Sequence, residues 1–506
     1  MATTPSLSSK TLTGAMWLVL WRMVTRVLGL ASTLVLARIL VPADFGLLAM
    51  ASTFAAAIDS LSQLGLQDAL VRRIADDRAL FDTAFTLQAG RALLTSSIIV
   101  VSAPVASWWF NEPRLVPMLL VLAAGAIIAG LENVGIIEFR REMRFDMQFK
   151  LLSIPRLLQV ATTIPLAIAM QSYWALMIGI IVAKLARTIM TYIVHPYRPA
   201  LRIAGWRELA GFSFWTWTTC VAAVVWDRCD PFVVGPVVGT ARLGVYLLAF
   251  EVAILPVSEL IAPATDALFA GFASAQKQGG AIQQAARVAL MLLMGIVPLI
   301  VTISCASGYV VAALLGPKWA EAQPLIAILA WQCVFSPFSN VCSVALVAHG
   351  RVRLNFIGNV IASAVKLAAL LVVVSLTSRL TVIAAVTAAC VAAESAIFLL
   401  LLTRVGDLRL RRVAAGVCRI ALATGVTLIA VQQSGFAWQR IDMPVLPALV
   451  GGGLIGCAVA GIYAAALCGI WFMSGRPDGP ELDMMKIVAE RLTIFVGRKL
   501  RPGSAL

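Results

Sequence analysis

Residues 17–30 read WLVLWRMVTRVLGL. Almost every side chain suits hydrocarbon, yet Arg22 and Arg26 stand in the middle of the run. An arginine at the centre of a bilayer costs roughly 3 kcal/mol or more. A spacing of four places both guanidinium groups on one face of a helix. Such a helix is tolerable only where that face meets protein or water. The stretch therefore predicts a membrane-spanning helix in a bundle with a polar interior.

The rest of the chain agrees. Of its 506 residues, 60% are hydrophobic and 13% charged, with a mean hydropathy of +0.92. A soluble domain carries about 25% charged residues. Apolar runs near the roughly 20 residues that cross a bilayer recur from end to end. They are long and lack strict alternation, so the spanning elements are helices rather than barrel strands. Fourteen spans are expected, at 12–40, 43–70, 83–107, 114–138, 151–170, 172–195, 210–237, 241–270, 285–315, 322–348, 354–376, 380–403, 413–431 and 445–473. The polar N-terminus leads into a run too long for a signal peptide, which points to a retained first helix.

One set of connections is basic: RRIADDR (72–78), FRREMRF (139–145), HPYRPALRIAGWR (195–207), HGRVR (349–353) and RVGDLRLRR (404–412). The alternate set is short: VPAD (41–44), NEPR (111–114), QS (171–172), GPKW (316–319) and TSRL (377–380). The basic set is expected in the cytoplasm, and an even span count then puts both termini there. The outward loops are too small for a folded domain, which argues against a membrane polymerase or ligase. The net charge of +15 fits anionic lipid; a nucleic-acid binder needs a soluble basic face. The nine cysteines are scattered without metal spacing, and most, such as Cys305, Cys390 and Cys457, read as buried small hydrophobes. His195 and His349 lie far apart at span ends. No HExxH, P-loop or metal cluster is present, so no catalytic residue and no metal is assigned. After the last span, ELDMMKIVAERLTIFVGRKLR (481–501) spaces Met485, Val488, Leu492 and Phe495 as an amphipathic helix on the membrane surface.

An ungapped shift of 198 residues aligns WLVLW with WTWTT at 215, VPADFGLLAMA (41–51) with GTARLGVYLLA (239–249), and QDAL (67–70) with TDAL (265–268). Gly46 falls on Gly244. Spans 1–6 and 7–12 thus read as two copies. Six is even, so both insert in one orientation, as in transporters with parallel repeats. The fold class is all-α: a polytopic membrane protein with about 14 transmembrane helices, in which two six-helix repeats form N and C lobes and two helices are added. The expected divisions are 1–200, 201–405, 406–475 and a cytoplasmic tail at 476–506.

Arg22 and Arg26 have two readings, a cationic stripe on a central cavity or an ion pair with Asp59 near the middle of span 2. In WDRCDPFVVG (226–235), Asp227, Arg228 and Asp230 fall mid-span before Pro231. Proline opens the backbone ladder there; the charges either neutralise one another or face the same cavity. Further intramembrane ionisable residues are Arg91, Glu132, Arg156, Lys184, Glu251, Glu259, Lys366 and Glu394. Arg156, Lys184 and Glu259 are placed near span ends, where they can snorkel. Lys366 and Glu394 lie deeper, in a lobe-internal pair or at the cavity. The candidate substrate contacts are Arg22, Arg26, Arg228 and Lys366; the candidate ion-coupling acids are Asp59, Asp227, Asp230 and Glu251. No cofactor is expected beyond a proton or sodium ion, whose uptake biases one state if its affinity differs between states.

Residues 26–54, RVLGLASTLVLARILVPADFGLLAMASTF, with LSQLGLQDALVRR (61–73), resemble the opening of the polysaccharide-transport family of bacterial oligosaccharide-lipid flippases, the Wzx-type branch of the multidrug/oligosaccharidyl-lipid/polysaccharide superfamily. DRCDPFVVGPVVGTARLGVYLLAFEVAILP (227–256) is similar to that family's seventh and eighth helices. YWALMIG (173–179), HPYRPAL (195–201) and LLGPKWAEAQPLIAILA (314–330) also look like its landmarks. The resemblance implies a two-lobed, non-enzymatic protein of the bacterial inner membrane. It would turn an undecaprenyl-diphosphate-linked oligosaccharide from the cytoplasmic to the periplasmic leaflet, beside the glycosyltransferases and polymerase of an exopolysaccharide, capsule or O-antigen pathway. It also implies that Arg22, Arg26 and Arg228 face the pathway. Asp230 departs from the pattern, where an apolar residue is expected. A drug exporter of the same superfamily needs an acidic, aromatic cavity. A peptidoglycan-precursor flippase also needs cavity arginines and is the nearer alternative.

Overall fold

The computed structural model describes residues 24–25, 28–29, 31–62, 78–142, 144–203, 214–255, 257, 261, 281–406, 410–435 and 443–484. Among the described residues there is no strand. Twelve helical elements follow a stretch at 31–39 that is also helical. They are α1 (Pro42–Leu61), α2 (Arg78–Phe110), α3 (Leu115–Gly130), α4 (Phe145–Met170), α5 (Trp174–Val194) and α6 (Phe214–Ala253). Then come α7 (Ala281–Cys305), α8 (Ala322–Ala348, through a 3-10 turn at Ala330–Val334), α9 (Val352–Leu376), α10 (Leu380–Thr403), α11 (Leu410–Gln433) and α12 (Val445–Met473). Among the described residues eleven helices are long and apolar enough to cross a membrane, and Leu115–Gly130 is a shorter apolar helix. The chain is a multi-pass membrane protein of about 14 spans, because α6 holds two segments. Gly239, at φ +80 and ψ 170, breaks it where the sequence places the turn between spans 7 and 8.

The chain divides into two compact units, Met1–Leu247 and Leu248–Leu506, where the sequence suggested a division at 200/201. Residues 214–247 pack on the first unit for identifiable reasons. Pro236 has no N–H, so the carbonyl of Phe232, four residues back, loses its helical donor. The indole Nε1 of Trp109 on α2 donates to that carbonyl at 3.1 Å. The Phe232 ring packs on Phe54 and Phe110, with centroids 5.8 and 5.9 Å away.

Small residues let helices approach closely, as membrane bundles require. A Cβ on Gly179 would lie 1.8 Å from Thr163 Oγ1, at the α4–α5 crossing. A Cβ on Gly130 would lie 2.1 Å from that of Ala92 on α2. The tightest crossing joins α1 to the second segment of α6. A Cβ on Gly46 would sit 1.8 Å from the carbonyl oxygen of Thr240, and one on Gly244 would sit 2.1 Å from that of Pro42. Thr240 and Gly244 are the 198-residue equivalents of Pro42 and Gly46. The contact is therefore reciprocal, as a two-fold axis between equivalent segments demands.

Each unit has an arginine-rich end, where the basic connections lie. In the first unit that end is strapped by residues 195–203. Pro196 and Pro199 keep this segment extended. Asp82 accepts from the Tyr197 hydroxyl and, at 2.9 Å, from the Ala200 N–H. The N–H of Arg202 donates to Thr86 Oγ1 at 2.9 Å, and His195 Nε2 lies 2.9 Å from Glu138. Burial and the Asp82 carboxylate both push the Tyr197 hydroxyl well above its usual pKa. Gly135 leaves room for the strap: a Cβ there would meet His195 Nδ1 at 2.3 Å. His195 and His349, the latter 2.8 Å from the Ala345 carbonyl oxygen, thus serve structure.

The second unit has an apolar core. Leu290, Leu293, Val297, Phe338, Phe398 and Leu402 are among the buried side chains that α7, α8 and α10 share with α11 and α12. Cys305, Cys342 and Cys390 are buried as expected, whereas Cys457 is exposed on α12. An outward-facing helix surface in a membrane protein needs only to be apolar, so hydropathy alone does not separate core from lipid-facing positions.

Candidate functional site

Charged groups inside the spanning helices concentrate in the first unit. Asp59 lies in the last turn of the described α1. Its carboxylate pairs with Arg91 Nη1 of α2 at 3.0 Å. The same nitrogen reaches Ser62 Oγ at 3.2 Å and the Asp59 carbonyl at 3.5 Å. Ser62 Oγ, in turn, is 2.8 Å from Thr95 Oγ1. Arg91 so meets both a carboxylate and the negative end of a helix dipole. The pair is not sealed: the side chains are 45% (Asp59) and 22% (Arg91) exposed.

A second pair follows α3. Arg187 Nε on α5 lies 2.9 Å from Glu132 Oε1. The last carbonyls of α3 are satisfied from two sides, by Gln88 Nε2 on Gly130 at 3.1 Å and by Thr188 Oγ1 on Ile128 at 2.9 Å. Lys184 lies one turn before Arg187. It is ten residues from each end of α5, roughly 15 Å by helical rise, and Asp59 and Glu132 both act on it electrostatically. Its stem lies over Gly125, where a Cβ would approach Lys184 Cδ to 3.1 Å and Nζ to 3.3 Å. Arg156, well inside α4, donates to Gln159 Oε1 at 2.8 Å. Its other terminal nitrogen would be 3.1 Å from a Cβ on Gly29 of the leading span.

These positions correct part of the sequence reading. Arg156 and Lys184 are near mid-helix and not at span ends: α4 begins at Phe145, six residues before the expected span, and Lys184 is at the centre of α5. Asp59 is partnered by Arg91. Arg22, Arg26 and Glu259 lie outside the described residues, as does the tail from Met485. Arg187 escaped notice in the sequence; its spacing of three from Lys184 was the available signal.

The remaining candidates are dispersed. In α6, Asp227 and Arg228 are exposed, whereas Asp230 is 4% exposed and lies 3.4 Å from the Tyr246 hydroxyl. The acid that departs from the family pattern thus occupies a position as buried as the apolar residue expected there. Lys366, on α9 of the second unit, is also 4% exposed and is engaged by its surroundings. Glu251, close after the bend of α6, is exposed. Among the described residues no group of His, Cys, Asp or Glu is arranged to hold a metal ion.

The first unit therefore holds Arg91, Arg156, Lys184 and Arg187 with Asp59 and Glu132, besides Asp44 and Asp82 near helix starts and Asp227, Arg228 and Asp230 on α6. Groups of this kind inside a membrane mark a pathway or a structural network. A family profile described as polysaccharide biosynthesis protein matches residues 35–324. The chain belongs to this family. Lipopolysaccharide biosynthesis protein WzxC of Escherichia coli K12 is 24% identical over 368 residues, covering 70% of this chain and 73% of that protein. Succinoglycan biosynthesis transport protein ExoT of Rhizobium meliloti is 25% identical, covering 65% and 67% respectively. The fold is similar to that of lipid II flippase MurJ in an inward closed conformation, with TM-score 0.70 and 14% identity over 89% of this chain and all of that one. An inward-facing multidrug resistance MATE family transporter gives TM-score 0.59 at 15% identity over 78% and 95%. The polysaccharide biosynthesis assignment thus rests on sequence, and the flippase-type architecture on fold. ExoT is named a transport protein and MurJ a flippase, neither a catalyst by name.

Proposed function

We propose that this chain is a flippase for undecaprenyl-diphosphate-linked oligosaccharide repeat units, moving them from the cytoplasmic to the periplasmic leaflet of the bacterial inner membrane. The cationic side chains Arg91, Arg156, Lys184 and Arg187 held within the helices of a polysaccharide biosynthesis protein carry the reading. A diphosphate needs positive charge along a water-accessible path, whereas its polyprenyl tail can stay in lipid. The basic connections place the arginine-rich ends in the cytoplasm. Gly29, which faces Arg156, is three and seven residues beyond Arg26 and Arg22. On this proposal Arg22 and Arg26, spaced four apart in the sequence, are substrate contacts of the same kind. Arg228 and Lys366 are further candidate substrate contacts. Asp59, Asp227, Asp230 and Glu251 take up a proton or sodium ion that favours one state of an alternating-access cycle.

Complementation of a deletion strain tests the assignment. Variants Arg22→Ala and Arg26→Ala are expected to express normally, lose surface polysaccharide and accumulate the lipid-linked repeat unit. Normal polysaccharide from a well-expressed double variant would overturn it. Purified protein in proteoliposomes separates the peptidoglycan-precursor alternative: movement of lipid II without movement of the oligosaccharide lipid would decide for that reading. In the same vesicles Asp227→Asn is expected to alter the pH or sodium dependence of flipping, and an unchanged response removes Asp227 from coupling.

A further inference from the structure

A cavity of about 460 Å³ opens at the arginine-rich end of the second unit. Its walls are the starts of α7 and α11 and the segment that follows α12. Arg287 comes from α7, Arg412 and Arg419 from α11, and Asp478 from the returning segment. The return is built in. Gly475 and Arg476 both have positive φ, +80 and +54, and reverse the chain. The Trp471 indole then donates to the Pro477 carbonyl at 3.2 Å. Glu481, 3% exposed, reaches back to Arg419 Nε at 2.6 Å. Gly479 lets the segment lie flat, since a Cβ there would be 2.4 Å from Glu481 Oε2.

The three guanidinium groups differ in how far they are neutralised. Arg419 is matched by Glu481. Arg287 is 3.8 Å from an Asp483 carboxylate oxygen and 3.4 Å from the Asp478 carbonyl. For Arg412 no ion pair forms among the described residues. Neither α7 nor α11 has an acidic residue in its first turn, and both direct the positive ends of their dipoles to this end of the unit. From Ala415 on the cavity wall, an exposed apolar ridge runs along α11 through Cys418, Leu422, Val426 and Ile429.

We propose that this cavity binds the phosphodiester headgroup of an anionic membrane phospholipid, with Arg412 and Arg287 on the phosphate and an acyl chain along the α11 ridge. Basic pockets between membrane helices at the cytoplasmic side suit such headgroups. The ridge is what favours a lipid over a free phosphate ion. Because the site stabilises the second unit through its own ligand, it stands or falls independently of which substrate the protein moves.

The test is a thermal-unfolding series on delipidated, detergent-purified full-length protein. Phosphatidylglycerol is expected to raise the melting temperature by several degrees, phosphatidylethanolamine by less, and millimolar inorganic phosphate not at all. Arg412→Gln with Arg287→Gln is expected to remove more than half of the phosphatidylglycerol shift, whereas Arg379→Gln, between α9 and α10, leaves it intact. An undiminished shift in the double variant, or an equal shift from inorganic phosphate, would overturn the proposal. Should the double variant not fold, a photoactivatable phosphatidylglycerol on the wild-type protein decides. Cross-links to the peptide containing Ala415–Leu422 support the site, and cross-links confined to other peptides refute it.

Discussion

The two units solve the same problem with different chemistry. In the second, α7, α8, α10, α11 and α12 close on a continuous apolar core, with Phe398 and Val341 fully buried. In the first, Leu47, Met50, Ile99, Met118, Leu119 and Met177 are fully buried as well, and ion pairs and capped carbonyls lie beside them among α1, α2, α3 and α5. Water and lipid explain why this matters. Apolar side chains gain little from leaving lipid, so a membrane core is held by close packing, and polar groups at depth persist only when paired or hydrated. Helix surface given to charge is surface taken from close packing.

Four experiments sharpen or break the contrast. The largest effect is expected in the apolar core: Phe398→Ala leaves a void and should cost about 3–5 kcal/mol, read as a large drop in melting temperature and in monodisperse yield. A small drop would mean the second unit is not held by that core. Next is Gly46→Ala, whose new Cβ would collide with the Thr240 carbonyl. Backbone must move, and the cost is expected near the ~3 kcal/mol upper range for overpacking. Gly90→Ala, on α2 with nothing within 4 Å of its Cβ, serves as the neutral comparison. Equal behaviour of the two would show that the reciprocal crossing is not a constraint.

The third is a double-mutant cycle on Asp59 and Arg91. The pair is partly exposed, so its coupling is expected to be modest, about 1–2 kcal/mol. Arg91→Ala should destabilise more than the Asp59→Ala/Arg91→Ala double variant, because the single change strands a carboxylate. Additive effects would dissolve the network in the first unit. The smallest is Trp109→Phe, which keeps the ring and removes the donor to the Phe232 carbonyl. The expected loss is about 1 kcal/mol. Pro236→Ala restores a helical donor to that carbonyl, so Trp109→Phe should cost less in its presence. An unchanged cost would mean that the indole matters through packing alone.

Hydropathy located the elements well because each span must satisfy its own backbone hydrogen bonds. The expected 172–195, 354–376 and 380–403 are observed as Trp174–Val194, Val352–Leu376 and Leu380–Thr403. Gly239 and the prolines of α6 were visible for the same reason, since they act on the backbone directly. The partners of charged residues were not visible. The sequence reading offers Asp59 only to Arg22 and Arg26, and its observed partner is Arg91, a choice that depends on how two helices rotate against each other. The strap over Asp82 was hidden too: the motif HPYRPAL shows an extended segment but not the carboxylate, 115 residues earlier, that Tyr197 meets.

From its amino acids alone, then, the molecule is committed to a helical bundle in a membrane, to a repeat of 198 residues and to charge within its spans, because these follow from local hydropathy, backbone pairing and spacing. Tertiary packing alone settles that Gly46 and Gly244 cross reciprocally, that Arg91 neutralises Asp59, and that Glu481 folds back onto Arg419. Those outcomes hinge on contacts between segments far apart in the chain, where a displacement of one ångström decides whether a charge is paired and whether a helix crossing closes.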